Sequence, residues 1–286
     1  MIKKFSIPGY YKKFPQVVKL IEYNKQHPEQ FYSDRVLDSS YDANDETIVW
    51  QGGRGWIPVK FTPMEIVLQM LPDLKLRHTF TNCLITEDLL KDYRCNHFLQ
   101  NYMRPQDEVI AASPLLIDYL NKNYPEIKII YSTTMNITDI DKINEITKNN
   151  IYVLNYNYNN DNNYLKQLKH LNNIEILCGE PCIPNCPNRA LHYEVISKKY
   201  LGIKDERIRQ IEDFCPRPRT PYTEFIKLPH AVTNERIEEL SNMGIQYFKI
   251  SGRLIKVPDW LGIILYYIVL PEWREYVYAK LLNEWW

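Results

Sequence analysis

No stretch of this chain approaches the ~20 consecutive apolar residues of a membrane span. The most apolar run, Trp260 to Leu270, is far shorter. The N-terminal segment MIKKFSIPGYYKKF has basic residues but no apolar run behind them. It does not read as a secretory signal, and a cytoplasmic protein is expected. Net charge is lacking as well, because 35 Lys+Arg balance 35 Asp+Glu. That removes any charge-based argument for nucleic acid or an anionic membrane as partner, while leaving room for a local basic pocket. Glycine is scarce (9 residues) beside 22 Tyr and abundant Asn, Lys and Ile. Such a bias fits an AT-rich genome and does not point to a function. No serine nucleophile elbow and no zinc-protease helix signature occurs, so a collagenase-type zinc mechanism has no support. Neither an internal repeat nor an interdomain linker is visible.

What is present suits a large α/β domain. Of 286 residues, 45% are hydrophobic, enough to fill a core. Strand-like segments alternate with helical ones, and such a series implies a parallel sheet. Strands are expected at 4–9, 34–37, 57–62, 77–80, 108–112, 127–131, 151–154, 174–177 and 247–250. Helices are expected at 15–23, 63–71, 86–93, 114–123, 139–147 (capped by Thr138), 163–171 and 234–243. Prolines at the starts of several helices fall where a missing N–H costs little. The Asn-rich run 155–163 reads as a polar strand-to-helix loop. At this length a closed TIM-like (β/α) barrel over residues 1–286 is expected in preference to an open sheet.

The strongest chemical signal is ILCGEPCIPNCPNRALHYE, residues 176–194. Cys178, Cys182 and Cys186 are evenly spaced, and Cys215 follows in FCPRPR. Prolines 181, 184 and 187 keep the segment out of regular helix, and an irregular loop can fold several thiolates around one centre. Four thiolates suit tetrahedral zinc or a cubane cluster. The spacing is not that of a zinc ribbon, and soft thiolates without a matched histidine pair favour iron–sulfur. Small buried cysteines are the competing explanation, but prolines and asparagines around thiols past a strand end fit it poorly. Cys83 and Cys95 lie far away in sequence and read as core residues, though either could supply a ligand.

Other candidates surround this loop. His192 is a possible ligand or proton donor, or simply a bonded histidine at a helix start. Arg189, Arg217 and Arg219 could bind a carboxylate or phosphate, or neutralise an anionic thiolate cluster. In WQGGRGW (50–56), glycines allow unusual dihedrals or close approach around Arg54, without the spacing of a phosphate loop or dinucleotide fingerprint. FKISGR (248–253) repeats the theme with Gly252 and Arg253 after a strand. Strand C-termini line a barrel's active face, so Lys249 is a catalytic candidate if it points inward, although a snorkelling surface lysine is commoner.

The pattern CxxxCPxRxxHY after a strand, then a later Cys and Pro and a final GIxxFKIxGR, resembles the peptidase family U-thirty-two (collagenase-like) iron–sulfur TIM-barrel proteins. It is carried here by Cys182, Cys186, Pro187, Arg189, His192, Tyr193, Cys215, Pro229 and Gly244 to Arg253. The segments IVWQGGR and TFTNCLI also look like an outlying branch of that group. The resemblance implies a barrel holding a 4Fe-4S cluster on four cysteines, and oxygen-independent hydroxylation in some members. On that basis Cys178, Cys182, Cys186 and Cys215 are expected to hold the cluster (zinc being the alternative). Arg54, Arg189 and Arg253 would bind an anionic group of a small-molecule or nucleobase substrate. A peptidase-like hydrolase and a non-catalytic metal-binding partner subunit are the other readings. The last would use the aromatic C-terminus (Trp260, Tyr266, Tyr267, Trp273, Tyr276, Tyr278, Trp285, Trp286), whose simpler role is packing.

Overall fold

A computed structural model describes residues 1–53, 62–213, 226–253 and 255–283. Eight parallel strands close into a barrel in sequence order. They are β1 (Lys3–Pro8), β2 (Arg35–Asp42), β3 (Lys75–Phe80), β4 (Glu108–Ala111), β5 (Lys128–Tyr131), β6 (Ile151–Val153), β7 (Ile174–Cys178) and β8 (Tyr247–Ile250). β1 closes the ring against β8 through Ser6 and Lys249. The TIM-like barrel expected from the alternating pattern is therefore the observed fold. The expected strand at 57–62 lies almost wholly outside the described residues. No helix among the described residues is long and apolar enough to cross a membrane.

Side chains on a strand alternate between two faces, and the alternation separates two compartments. Tyr41, Ile110, Ile130, Val153 and Leu177 pack inside the barrel. Their strand neighbours Ile176, Cys178, Phe248 and Ile250 face the surrounding helices. The barrel interior also holds charge. Arg77 is fully buried, donates to Glu108 at 2.7 Å and also pairs with Glu175. Lys75 extends the network to Asp38 and Glu108.

The helices are α1 (Phe14–Gln26), α2 (Met64–Met70), α3 (Glu87–Leu90), α4 (Tyr93–Tyr102), α5 (Pro114–Asn123), α6 (Ile140–Thr147), α7 (Asn162–Leu165), α8 (Arg189–Tyr200), α9 (Arg207–Asp213), α10 (Asn234–Asn242), α11 (Val257–Ile268) and α12 (Arg274–Asn283). Three expectations change for local reasons. The helix expected over 86–93 becomes two, because the Asp92 carboxylate accepts from the Cys95 N–H and starts a new helix there. The cap of α6 is Asp139, not Thr138. The helix expected to reach Leu171 stops at Leu165. Buried Asn144 of α6 takes the Gln167 carbonyl and the Lys169 N–H with its side-chain amide, and such a competitor displaces helical hydrogen bonds.

Part of the aromatic C-terminus is core. Trp260 and Tyr267 of α11 are completely buried, donating to the carbonyls of Pro8 and Val232. Trp273 and Tyr276 are exposed, while Trp285 and Trp286 lie outside the described residues.

Candidate functional site

The cavity lies where a parallel barrel places its chemistry, at the C-terminal ends of the strands. It has a volume of about 160 Å³, with walls that include Tyr41 of β2, Thr79 of β3 and Lys249 of β8. Glu180 and Cys182 just past β7, His192 and Tyr193 of α8, and Arg253 past β8 also line it.

Lys249 is the central group. Its register opposite Leu177 places it on the inner face, so the inward alternative holds. It is only 7% exposed. Its Nζ stands 3.8 Å from the centre of the Tyr41 ring. Among the described residues it makes no hydrogen bond or ion pair. Burial lowers its pKa from 10.5 to about 7, with Glu175 opposing and Arg77 and Arg253 adding to the fall. The Tyr41 ring favours the ammonium by about 0.5–2 kcal/mol. Each tenfold loss of proton affinity is worth ~1.4 kcal/mol, so a fall of this size exceeds the ring's contribution and burial prevails. Tyr41 is itself fixed, its hydroxyl donating to the Ile250 carbonyl at 2.8 Å.

Arg253 is held from two sides. Its Nη1 donates to Thr79 Oγ1 at 3.0 Å, and its carbonyl accepts from the Lys13 ammonium at 2.8 Å. Lys13 and neighbouring Lys12 each have a pKa lowered to about 8, by burial first. Asp42 opposes the fall, its carboxylate accepting from the Lys12 N–H. Lys12, Lys13 and Arg253 stand near Asp42, and Glu180 shares the cavity wall with Arg253, so cations and carboxylates meet at the mouth.

The glycine segment serves this arrangement. A Cβ on Gly52 would lie 2.3 Å from the Thr81 carbonyl oxygen, so only glycine lets the two chain segments approach. Gly53 has φ +97° and leaves space beside Arg253 Nη2. Because Thr81 presents backbone that cannot swing away, Gly52→Ala is expected to cost about 1–3 kcal/mol. A lowered urea midpoint would register it, and an unchanged midpoint would refute the close approach. Arg54 lies outside the described residues.

Arg189 is fully engaged elsewhere. Buried against the Tyr156 ring, it donates to Tyr193 Oη at 2.7 Å, Asn155 Oδ1 at 2.8 Å and Thr133 Oγ1 at 2.8 Å. It ties the β5, β6 and β7 loops together and does not line the cavity. The Asn-rich run, a strand-to-helix loop as expected, supplies two of these ties. Asn155 receives Arg189, and buried Asn159 donates to the Leu177 carbonyl.

The thiols divide between compartments. Cys178 is completely buried in the helix-facing layer, and burial pushes its pKa up. Cys182 packs against the barrel interior and lines the cavity. Cys186 is half-buried on the same loop. Cys215 lies outside the described residues, as do Arg217 and Arg219. Thiolates sharing one metal centre must face it together; Cys178 does not share the compartment of Cys182. Among the described residues no group of three His, Cys, Asp or Glu side chains is placed to hold a metal ion. Cys95 is core, whereas Cys83 is exposed, its sulfur 3.3 Å from Ser197 Oγ.

Two polar residues were missed in the sequence. Buried Glu180 accepts from the Cys182 N–H at 3.0 Å and from Ser251 Oγ at 3.3 Å. Buried His230 meets the Glu180 carbonyl through Nε2 at 2.9 Å, while its Nδ1 has no hydrogen-bond partner among the described residues. Glu180 stands two residues past a strand end, a position that could have flagged it.

The fold has a known counterpart. The solved structure of the U32 peptidase Mk0906 matches 88% of this chain and 94% of its own, with a TM-score of 0.54 and 14% sequence identity. That likeness shows a U32-like barrel fold, as the sequence resemblance implied. No protein-family model and no curated protein matches the sequence.

Proposed function

We propose that this protein is an enzyme that handles a small anionic molecule at the C-terminal mouth of its barrel. Lys249 moves a proton there, and Arg253 holds the negative group. The observation that carries this reading is the Lys249 amine, buried on the cavity wall with no hydrogen bond or ion pair among the described residues. Burying such a group costs stability, and groups perturbed in this way concentrate at functional sites. A pKa near 7 also suits proton transfer at neutral pH.

The finer chemistry we propose is oxygen-independent redox or hydroxylation of a small molecule or nucleobase, with a 4Fe-4S cluster, or alternatively zinc, at the same mouth. Its support is the pair of loop thiols, Cys182 and Cys186, together with the sequence pattern. Such a cluster supplies electrons or a Lewis-acidic iron when bound. Protein purified without oxygen is then expected to contain iron and sulfide that fall on Cys182→Ala and persist in Cys178→Ala. Retention of both in Cys182→Ala would exclude that thiol as a ligand.

Hydrolysis is the second reading, favoured by the likeness to a U32 peptidase fold.

The test of the general reading is thermal unfolding with added acetate or inorganic phosphate. Binding to the folded state raises Tm. The rise is expected in the wild-type protein and should disappear in Arg253→Gln. No rise with either anion, or a rise unaffected by Arg253→Gln, would contradict the anion-binding role.

A further inference from the structure

We infer that Lys249 is an imine-forming residue and that the ligand of the mouth is a small 2-oxo acid. The inference rests on the proposed mouth site and names the substrate class it takes. Three observations converge on a carbonyl compound bearing a carboxylate. The first is the amine, which is 7% exposed and lines the cavity with the Tyr41 ring face beside it. Lys249 Nζ has no hydrogen-bond partner among the described residues and faces the Tyr41 ring, which leaves the nitrogen open to a carbon electrophile. Desolvated lysines in apolar surroundings are the residues that form Schiff bases with carbonyl substrates.

The second observation is Arg253. It lines the same cavity, and its Nη1 is anchored on Thr79. The guanidinium's other donors complete the planar fork that suits a carboxylate. The third is size. A cavity of about 160 Å³ has room for a molecule of about six non-hydrogen atoms, the size of benzene. Pyruvate has that size, and glyoxylate is slightly smaller.

The step consumes one proton, supplied by solvent water, and needs no other reactant. The lone pair of the neutral Lys249 amine attacks the carbonyl carbon, and the carbonyl π electrons move to oxygen, which takes up a proton. The resulting carbinolamine loses water, and the nitrogen keeps one proton as a cationic imine. Burial, with help from Arg77 and Arg253, supplies the free amine the first step needs. At pH 7 a lysine with an ordinary pKa of ~10.4 is neutral in well under one molecule in a thousand.

The test is reductive trapping on the full-length protein at pH 7. The protein is incubated with glyoxylate or acetaldehyde, reduced with cyanoborohydride and mapped by mass spectrometry. The expected result is saturable modification of Lys249 by glyoxylate, about tenfold or more above exposed lysines. Acetaldehyde, which has no carboxylate, should label it less, and Arg253→Gln should remove the difference. Because exposed lysines in the same sample are the internal reference, the result does not depend on a Lys249 variant folding. Glyoxylate labelling confined to exposed lysines, with the Arg253-dependent anion shift in Tm intact, would overturn the imine and leave the mouth reading standing. Loss of both signals would remove the mouth reading as well. Equal Lys249 labelling by the two aldehydes would overturn the 2-oxo acid as the ligand.

Discussion

Arg77→Ala is expected to lower the stability of the folded protein by about 3–5 kcal/mol, the range for removing one partner of a buried ion pair. The guanidinium is 1% exposed and sits inside the barrel between Glu108 and Glu175, which are 4% and 0% exposed. With it gone, two carboxylates remain in a space that water reaches poorly. Lys75 can answer Glu108, which it already meets at 3.3 Å, but Glu175 has no other ion-pair partner among the described residues. The loss should therefore be recovered largely by also replacing Glu175. Arg77→Met with Glu108→Gln and Glu175→Gln is expected to unfold much nearer the wild-type urea midpoint than Arg77→Ala does. That variant leaves no uncompensated charge where Arg77 stood, and the uncompensated buried charge is what makes removal of one partner costly. Equal destabilisation by the single and triple variants would mean that Arg77 acts by filling volume and not by pairing charge.

The second large effect has the opposite sign. Lys249→Met is expected to make the protein more stable, most strongly in acid. The folded-state pKa of about 7 lies below the unfolded value of 10.5. Between these values the unfolded chain binds more protons, so wild-type stability rises with pH across this window. Below pH 7 both states are protonated, and the full cost of a buried ammonium is present. Methionine carries no such cost and has a similar length. Its advantage should reach a few kcal/mol below pH 7, since each tenfold difference in proton affinity is worth about 1.4 kcal/mol, and shrink toward pH 10. Urea midpoints of both proteins from pH 6 to 10 measure the difference, which cancels other titrating groups such as Lys12 and Lys13. An advantage independent of pH would refute the lowered pKa. The gain at the expense of the mouth chemistry is the stability–activity trade-off that functional residues show.

The barrel was readable because alternation of strand and helix is a local property of the sequence. Most strand ends moved by one or two residues, but β2 runs five residues past its expected end, to Asp42, and so includes Tyr41. What the sequence could not show was which way side chains face once the ring closes. Cys178 and Cys182 look equivalent as members of an evenly spaced series. A strand's two-residue period sends the first toward the helices, while the loop returns the second to the barrel interior. Arg189 and Arg253 also look alike, yet the first is spent on Asn155, Thr133 and Tyr193. Those partners come from the loops past β5 and β6 and from α8, a convergence invisible in one dimension. Lys249 could be singled out only because its strand end and the barrel rule were both legible; its burial needed the closed ring. Glu180 and His230 meet through a contact spanning 50 residues, so neither position alone announced the pair.

The most direct measurement is the pH dependence of trace acetylation at Lys249, followed by peptide mass spectrometry on the intact folded protein. Acetic anhydride reacts only with the neutral amine, so the rate reports its titration. The expected midpoint for Lys249 is about 7, with exposed lysines in the same sample titrating near 10.4. A Lys249 midpoint that coincides with the exposed lysines would contradict the central claim that the barrel mouth keeps a neutral, reactive amine.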